Sequence, residues 1–165
     1  KPNAGHLGIA DLEKWFNVQI VTQNVDDLHE LAGSTNVLHL HGELRKVRST
    51  TDSGLVYTMD HWELKMGDCC ELGSQLRPHI VWFGEAVPAI SQAIGIVQKA
   101  DILVVIGTSL AVYPAASLVN YTRNEIPIFV VDPGHAAIHK ENVSYIQKKV
   151  GEGIPELKQK LEKMK

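Results

Sequence analysis

Short apolar runs that alternate with helical patterns constrain the fold of this chain more than any other feature. The runs lie at residues 79–83, 102–106 and 128–131. Between them, apolar residues recur at helical spacing over residues 90–97, and a second helical pattern begins at Pro114. Strands that are apolar along their whole length are buried on both faces, and intervening helices allow such strands to run parallel. The sequence therefore predicts an α/β fold with a mostly parallel sheet.

Further elements are expected toward both ends of the chain. One short apolar strand is expected to end at Asn24, and another is expected at residues 37–40. Asn3 is predicted to cap a first helix, and Pro155 is predicted to begin the last one. The residues expected to face the core from these two helices are Ile9, Leu12, Trp15 and Phe16 in the first and Leu157, Leu161 and Met164 in the last.

Length, charge and cysteine content exclude several classes of protein. The chain has 165 residues, which suits one domain, and its net charge of −3 gives no electrostatic footprint for nucleic acid. No apolar run approaches the ~18 residues that a membrane-spanning helix needs. The adjacent Cys69 and Cys70 do not form a disulfide framework, which favours a reducing compartment. We therefore expect a cytoplasmic protein that binds neither nucleic acid nor membrane.

The stretch from residue 44 to residue 75 differs in character from the rest of the chain. Charged residues are frequent in it, and Gly54, Gly67 and Gly73 interrupt any long hydrophobic period. This stretch is predicted to form a small inserted lobe. Residues 1–43 and 76–165 would then form the main domain.

Polar side chains cluster where the first two predicted strands end. Gln23, Asn24 and Asp26 follow the first strand, and His41 follows the second. Because the carboxyl ends of parallel strands border the ligand crevice, we expect these residues to share one site. Amides and a carboxylate can bind a polar ligand, and an imidazole suits a general base. An alternative is a pair of ordinary turns with a solvated histidine, because turns also favour Asn, Asp and Gly.

A second polar cluster follows two later strands. Gly107, Thr108 and Ser109 lie between an apolar strand and a helix, where backbone amides and hydroxyls could hold a ribose or a phosphate. Asp132 ends the next strand, where acidic side chains commonly bind ribose hydroxyls in dinucleotide-binding folds. The alternatives are a plain connection at residues 107–109 and an Asp-Pro-Gly turn at Asp132.

Residues 80–85 are predicted to form a strand that breaks at Gly84. The edge of such a strand could bind an extended peptide through main-chain hydrogen bonds. By their apolar character alone, Trp82 and Phe83 are more typical of a core than of a binding surface.

Five ordered motifs resemble those of the sirtuins, a family of NAD-dependent protein-lysine deacylases. They are residues 2–6, 22–29, 41–43, 76–85 and 107–114. The resemblance extends over nearly the whole chain and is strongest to the branch that bacterial enzymes share with mitochondrial desuccinylase-like ones. It implies a Rossmann-type α/β fold, and an enzyme of the cytoplasm in a bacterium or of the mitochondrion in a eukaryote.

The activity implied by this resemblance is amide deacylation coupled to cleavage of NAD. The acyl group of an acyl-lysine peptide or protein would pass to ADP-ribose, and nicotinamide would be released. His41 would deprotonate a ribose hydroxyl, and Asn24 would orient the ribose or a water molecule. Asp26 would bind the nicotinamide amide, and Gln23 would contact the ribose.

The resemblance also implies the remaining ligand contacts. NAD would further contact Gly107, Thr108, Ser109, Asp132 and Val150. The peptide would lie between two segments, with Val81, Phe83, Gly84 and Glu85 in one and Leu110, Ala111 and Val112 in the other. Val81 and Phe83 would line the acyl-lysine tunnel. Two cofactor positions depart from the usual pattern, because Asp132 replaces an asparagine and Lys148 replaces a glycine.

The inserted lobe departs from the pattern more strongly. Sirtuins typically hold a structural zinc ion with two Cys-x-x-Cys pairs. Ser49 and Asp52 stand at the ends of the first pair's position, and the second pair is reduced to Cys69 and Cys70. Because a structural zinc site needs four Cys or His ligands, we expect this lobe to be metal-free or weakly ordered.

A further departure concerns the segment with which sirtuins usually begin, a strand followed by a glycine-rich phosphate loop. These 165 residues contain no such segment. The expectation is therefore a NAD-binding domain without its first strand and phosphate loop, and a low activity of this chain by itself. Two alternatives stay open: a truncated sirtuin that binds peptide or ADP-ribose without turnover, and an ADP-ribosyl transferase that uses the same pocket.

Overall fold

The computed structural model describes residues 1–108, 110–134 and 138–164. Within these ranges, eight strands form three sheets. A two-stranded parallel sheet consists of β1 (Ile20–Thr22) and β2 (Val37–His39). An antiparallel sheet has β3 (Gly42–Ser49) between β4 (Val56–Thr58) and β5 (Leu76–Ile80). A parallel sheet has the order β6 (Leu103–Ile106), β7 (Ile128–Val131) and β8 (Val143–Ile146).

The helices of the described ranges vary in length and type. They are α1 (Ala4–Leu12), α2 (Leu28–Leu31), α3 (Ile90–Lys99), a 3-10 helix (Ala115–Tyr121) and α4 (Val150–Glu162). The prediction of an α/β fold with mostly parallel pairing in its apolar strands is confirmed, as are the predicted elements at β1, β2, β6, β7 and α3. No helix in the part of the chain described here is long and apolar enough to cross a membrane.

Strand β7 lies at the centre of the core and is buried on both faces. Phe129 and Val131 pack in one apolar cluster with residues of α1 and α4. Ile128 and Val130 pack in a second cluster that includes Val119 of the 3-10 helix. This alternation along one strand is the expected pattern of a strand covered by helices on both sides.

Helices α1 and α4 approach each other closely because α1 presents glycines to α4. A Cβ atom built on Gly8 would lie 2.5 Å from Cγ2 of Ile154, closer than real Cβ contacts allow. An ion pair at the edge of this helix contact links Lys158 Nζ of α4 to Asp11 Oδ2 of α1 at 2.8 Å. At the start of α1, the Asn3 carboxamide accepts two backbone N–H groups, so the predicted cap is confirmed.

The predicted strand at residues 80–85 is wrong. The strand of this region is β5, which ends at Ile80 and pairs antiparallel with β3. A turn follows, in which the N–H of Glu85 donates to the Trp82 carbonyl at 3.0 Å and the N–H of Trp82 donates to the Glu85 carboxylate at 3.0 Å. The turn exposes 54% of Trp82 and 99% of Phe83, so the interpretation of both as core residues is also wrong.

Two helix predictions need correction as well. Helix α4 begins at Val150, and Pro155 lies inside it. Met164 lies beyond the end of α4 and is half exposed, whereas Leu157 and Leu161 are buried as predicted. Trp15 likewise lies beyond the end of α1 and is 41% exposed. The division of the chain at residues 43 and 76 remains a prediction.

Candidate active site

The imidazole of His41 is held in one orientation by the backbone of the β1 loop. His41 lies between β2 and β3, and its Nδ1 is 2.9 Å from the carbonyl oxygen of Gln23. A carbonyl oxygen can only accept a hydrogen bond, so Nδ1 must carry the proton. The neutral ring then has its lone pair on Nε2, which is the arrangement that a general base needs.

Gly42 fixes the backbone on the other side of His41. Its φ is +83°, and a Cβ atom at this position would overlap the carbonyl oxygen of His79, so the close approach of the two strands requires glycine. The N–H of Val81 also donates to the His41 carbonyl at 2.9 Å. His41 is therefore fixed through its ring to the β1 loop and through its backbone to the chain that follows β5.

The loop after β1 is ordered by its own polar side chains. The Thr22 hydroxyl accepts the N–H of Asn24 at 3.1 Å, and Oδ1 of Asp26 accepts the N–H of Leu28 at 3.1 Å. These hydrogen bonds are the ordinary turns that the alternative interpretation proposed. They use only one of the two carboxylate oxygens of Asp26, namely Oδ1. The Asn24 residue is exposed at the surface.

A contact between Gln23 and Thr108 joins the two predicted polar clusters. Nε2 of Gln23 lies 3.5 Å from the Thr108 hydroxyl, across 85 positions of sequence. The Thr108 hydroxyl also accepts the N–H of Leu110 at 3.1 Å. The carboxyl ends of the β1–β2 and β6–β7 pairs therefore meet at one place. Ser109 lies outside the residues that the structure describes.

Gly107, Asp132 and Val150 lie beside this junction. The N–H of Gly107 donates to the Val131 carbonyl at 3.1 Å, so Gly107 lies next to the end of β7. Gly107 has a φ of +59°, and a Cβ on it would lie 3.7 Å from Cγ2 of Val150. Asp132 accepts the N–H of Gly134 at 2.7 Å through Oδ1, which is the predicted turn. An amide, a hydroxyl, a carboxylate and a glycine backbone suit the hydroxyls of a ribose, so these residues fit the nucleoside part of NAD.

The residues predicted to bind peptide lie mainly at the surface. Phe83, Gly84 and Glu85 belong to the exposed turn after β5, and Val81 is partly buried before it. Hydrogen bonds from Arg77 lower the pKa of the Glu85 carboxyl and tie it to the body of the protein at 2.7 Å and 3.2 Å. In the second segment, Leu110 has a φ of +55°, which is unusual for a residue other than glycine, and Ala111 and Val112 are exposed.

His39 is a residue of this region that the sequence interpretation missed. Its Nδ1 lies 3.0 Å from the Asn24 carbonyl oxygen, and its Nε2 lies 2.8 Å from Oε1 of Glu30. The signal available in the sequence was its place in the strand predicted at residues 37–40, two positions before His41.

Hydroxyl groups occupy the place in the lobe where sirtuins carry their first cysteine pair. Oγ of buried Ser49 accepts the N–H groups of Thr51 and Asp52 at 3.2 Å each. A hydrogen bond from Ser49 also lowers the pKa of the Cys70 thiol. Among residues 1–108, 110–134 and 138–164, no three His, Cys, Asp or Glu side chains are grouped so that they could hold a metal ion.

Comparisons with known proteins agree with this geometry. A model of the Sir2 family matches residues 1–114. The NAD-dependent protein deacylase of Bacteroides thetaiotaomicron is 50% identical over 98% of this chain, which spans 71% of that relative. The NAD-dependent protein deacylase of Helicobacter pylori strain 26695 is 49% identical over 99% of this chain, which again spans 71% of the relative.

Solved structures of Sir2 proteins share the fold. A Sir2 homologue in complex with NAD superposes with a TM-score of 0.86 at 37% identity, over 99% of this chain and 66% of the homologue. A complex of Sir2 with a p53 peptide and NAD+ gives a TM-score of 0.79 at 31% identity, over 98% of this chain and 71% of that one. The chain therefore belongs to the Sir2 family, the sirtuins.

Proposed function

We propose that this protein removes acyl groups from lysine side chains in a reaction that consumes NAD. The observation that carries the proposal is the hydrogen bond from Nδ1 of His41 to the Gln23 carbonyl, which leaves Nε2 as the basic atom at a site that Gln23 and Thr108 share. The NAD-dependent protein deacylases at about half identity support the same activity.

Each polar residue of the site has a role in this proposal. Bound NAD supplies a ribose carbon with nicotinamide as its leaving group, together with the ribose hydroxyls that take up the acyl group. Nε2 of His41 accepts the proton of a ribose hydroxyl. Asn24 orients the ribose or a water molecule, and Asp26 binds the nicotinamide amide through the carboxylate oxygen that Leu28 does not use. Gln23 contacts the ribose, and its own position depends on Thr108.

The substrates in this proposal are acylated lysines in peptides or proteins. The exposed segments at residues 81–85 and 110–112 would receive the peptide backbone, with Val81 and Phe83 next to the acyl-lysine chain. Support comes from the similarity to the Sir2 structure that contains a p53 peptide. We propose the cytoplasm as the compartment, because Cys69 and Cys70 are both free thiols, a state that a reducing environment preserves.

The test measures nicotinamide release from NAD in the presence of an acetylated or a succinylated lysine peptide. His41→Asn keeps an amide nitrogen that can donate to the Gln23 carbonyl but removes the basic nitrogen. We expect its kcat to fall by ~10²–10⁴, the usual effect of losing a general base. His61→Asn is the matched control, because His61 lies exposed in the lobe, where its ring contacts Asp60. Because a low activity is expected of this chain by itself, each protein is also assayed with a sirtuin strand and phosphate loop joined upstream of Lys1. Wild-type turnover in His41→Asn would refute the role of His41, and no acyl-dependent nicotinamide release by the extended wild type would refute the function.

A further inference from the structure

We propose that His39 is a positioning residue of this site, which holds the carbonyl group of Asn24 and thereby fixes the direction of the Asn24 side chain. The proposal rests on the proposed function, because it concerns the residues to which nicotinamide and ribose binding are assigned. His39 itself does not touch the reacting atoms in this view.

The His39 ring is bound at both nitrogens and is nearly inaccessible to solvent. Nδ1 lies 3.0 Å from the carbonyl oxygen of Asn24, and Nε2 lies 2.8 Å from Oε1 of Glu30 on α2. Only 6% of the side chain is exposed. A carbonyl oxygen cannot donate, so Nδ1 must be protonated. The contact at Nε2 then needs a second proton, which either an imidazolium ring donates to the Glu30 carboxylate or a protonated Glu30 carboxyl donates to Nε2.

His39 binds the loop after β1 as His41 does, but at the carbonyl group of the next residue. His39 and His41 are two positions apart, and their Nδ1 atoms bind the carbonyl groups of Asn24 and Gln23, respectively. These two carbonyls belong to the planar peptide groups that flank the Cα atom of Asn24. Fixing both planes fixes φ and ψ of Asn24, and with them the direction in which its side chain leaves the backbone.

The His39 ring has a second hydrogen-bond partner in Glu30 of α2. This second contact adds to the hydrogen bond at Nδ1 and further restricts rotation of the His39 ring about its side-chain bonds. The Glu30 side chain is 42% exposed, so it can form this contact without being buried itself. The loop that carries the proposed nicotinamide site is thereby linked to α2 as well as to β2.

Two substitutions at His39 separate positioning from general stability. The amide nitrogen of His39→Asn stands where Nδ1 stands and can donate to the Asn24 carbonyl, but the side chain is too short to reach Glu30. His39→Leu fills the buried space and donates nothing. We expect kcat/KM for NAD to fall ~10–100-fold in His39→Leu, as misplacement of a reacting group by about 1 Å does, and to stay within about threefold of wild type in His39→Asn. The KM for the acyl-lysine peptide should not change in either variant. Equal loss in the two variants, or a parallel loss of peptide affinity, would overturn the proposal.

Nuclear magnetic resonance gives a readout that is independent of turnover. In ¹⁵N-labelled wild-type protein, we expect both His39 and His41 to be protonated at Nδ1. The backbone amide signals of residues 24–26 should shift in His39→Leu and stay near their wild-type positions in His39→Asn. An unprotonated Nδ1 in His39, or unchanged signals in His39→Leu, would overturn the proposal even if the enzyme is active. A protein that shows the expected signals but releases no nicotinamide would refute the proposed function and leave the structural role of His39 intact.

Discussion

Replacing Gly42 with alanine should destabilise the protein far more than the small change in side chain suggests. A Cβ at Gly42 would overlap the carbonyl oxygen of His79, and it would lie 2.8 Å from the carbonyl carbon of that residue and 3.1 Å from Cα of Ile80. All three are backbone atoms, so no side chain can move aside. Relief requires that β3 and β5 separate where Gly42 pairs with Ile80. Such overpacking costs ~1–3 kcal/mol or more, and a positive φ costs alanine a further ~1–2 kcal/mol.

Gly33→Ala is the matched control. Gly33 also has a positive φ, of +102°, but a Cβ there would have no neighbour within 4 Å. It should therefore lose only the conformational part, ~1–2 kcal/mol, whereas Gly42→Ala should lose roughly 2–5 kcal/mol of a total stability of about 5–15 kcal/mol. In thermal unfolding this corresponds to roughly 2–8 °C and roughly 4–20 °C, respectively, for a chain of this length. Equal losses in the two variants would show that the contact between Gly42 and His79 contributes nothing and would refute the account of how His41 is positioned.

Three further predictions address the cofactor site, the core and the lobe. Thr108→Val removes the hydroxyl that Gln23 contacts, so the KM for NAD should rise about 2–10-fold, which is the effect of losing one hydrogen bond, while Tm changes little. An unchanged KM would contradict the link between the two polar clusters. Burial lowers the pKa of His29, so the unfolded chain binds a proton at this residue at a higher pH than the folded protein does, and the free energy of unfolding should fall as the pH drops below about 6.5. Urea titrations at about pH 7.5 and about pH 5.5 should show this loss in the wild type and a smaller one in His29→Phe. Because Ser49 stands where a thiolate would be needed, elemental analysis should find no stoichiometric zinc, and a chelator should leave Tm unchanged; one tightly bound zinc per chain would contradict this.

The parts of the fold that the sequence predicted are those in which hydrophobicity and burial coincide. Strand β7 is apolar at every position and buried at every position, so its pattern could be recognised without a structure. Strand β8 escaped prediction because Ser144 and Tyr145 are exposed, and its place is set by pairing with β7. Strand β3 also escaped, because most of its side chains are polar and only Val47 and Ser49 are buried. The alternative that Phe83 is a core residue, drawn from its apolar character alone, is wrong because hydrophobicity reports a preference for burial and cannot show that a turn held by Glu85 exposes the ring.

The candidate site, like the fold, could be predicted only in part from the sequence. The positions of Gln23 and His41 at the ends of adjacent parallel strands followed from the order of elements along the chain. The bond that orients the His41 ring depends on the register between β1 and β2 and on the contact of Gly42 with His79, and neither is visible in a single sequence. Sequence patterns therefore indicated the residues of the candidate site, whereas the protonated nitrogen of His39 and of His41 could be inferred only from its hydrogen-bond partner.

The packing of α1 against α4 also determines the order in which the protein can fold during synthesis. Helix α1 ends at Leu12 and α4 begins at Val150, so the ribosome completes the first helix well before it starts the second. At ~5–20 residues per second, this interval lasts about 7–30 s. Throughout it, the face of α1 that carries Gly5 and Gly8 has no α4 to pack against, and a nine-residue helix is only marginally stable by itself. Helix α1 is therefore fixed in place only after α4 has been made, and its docking closes the loop that runs from Leu12 to Val150.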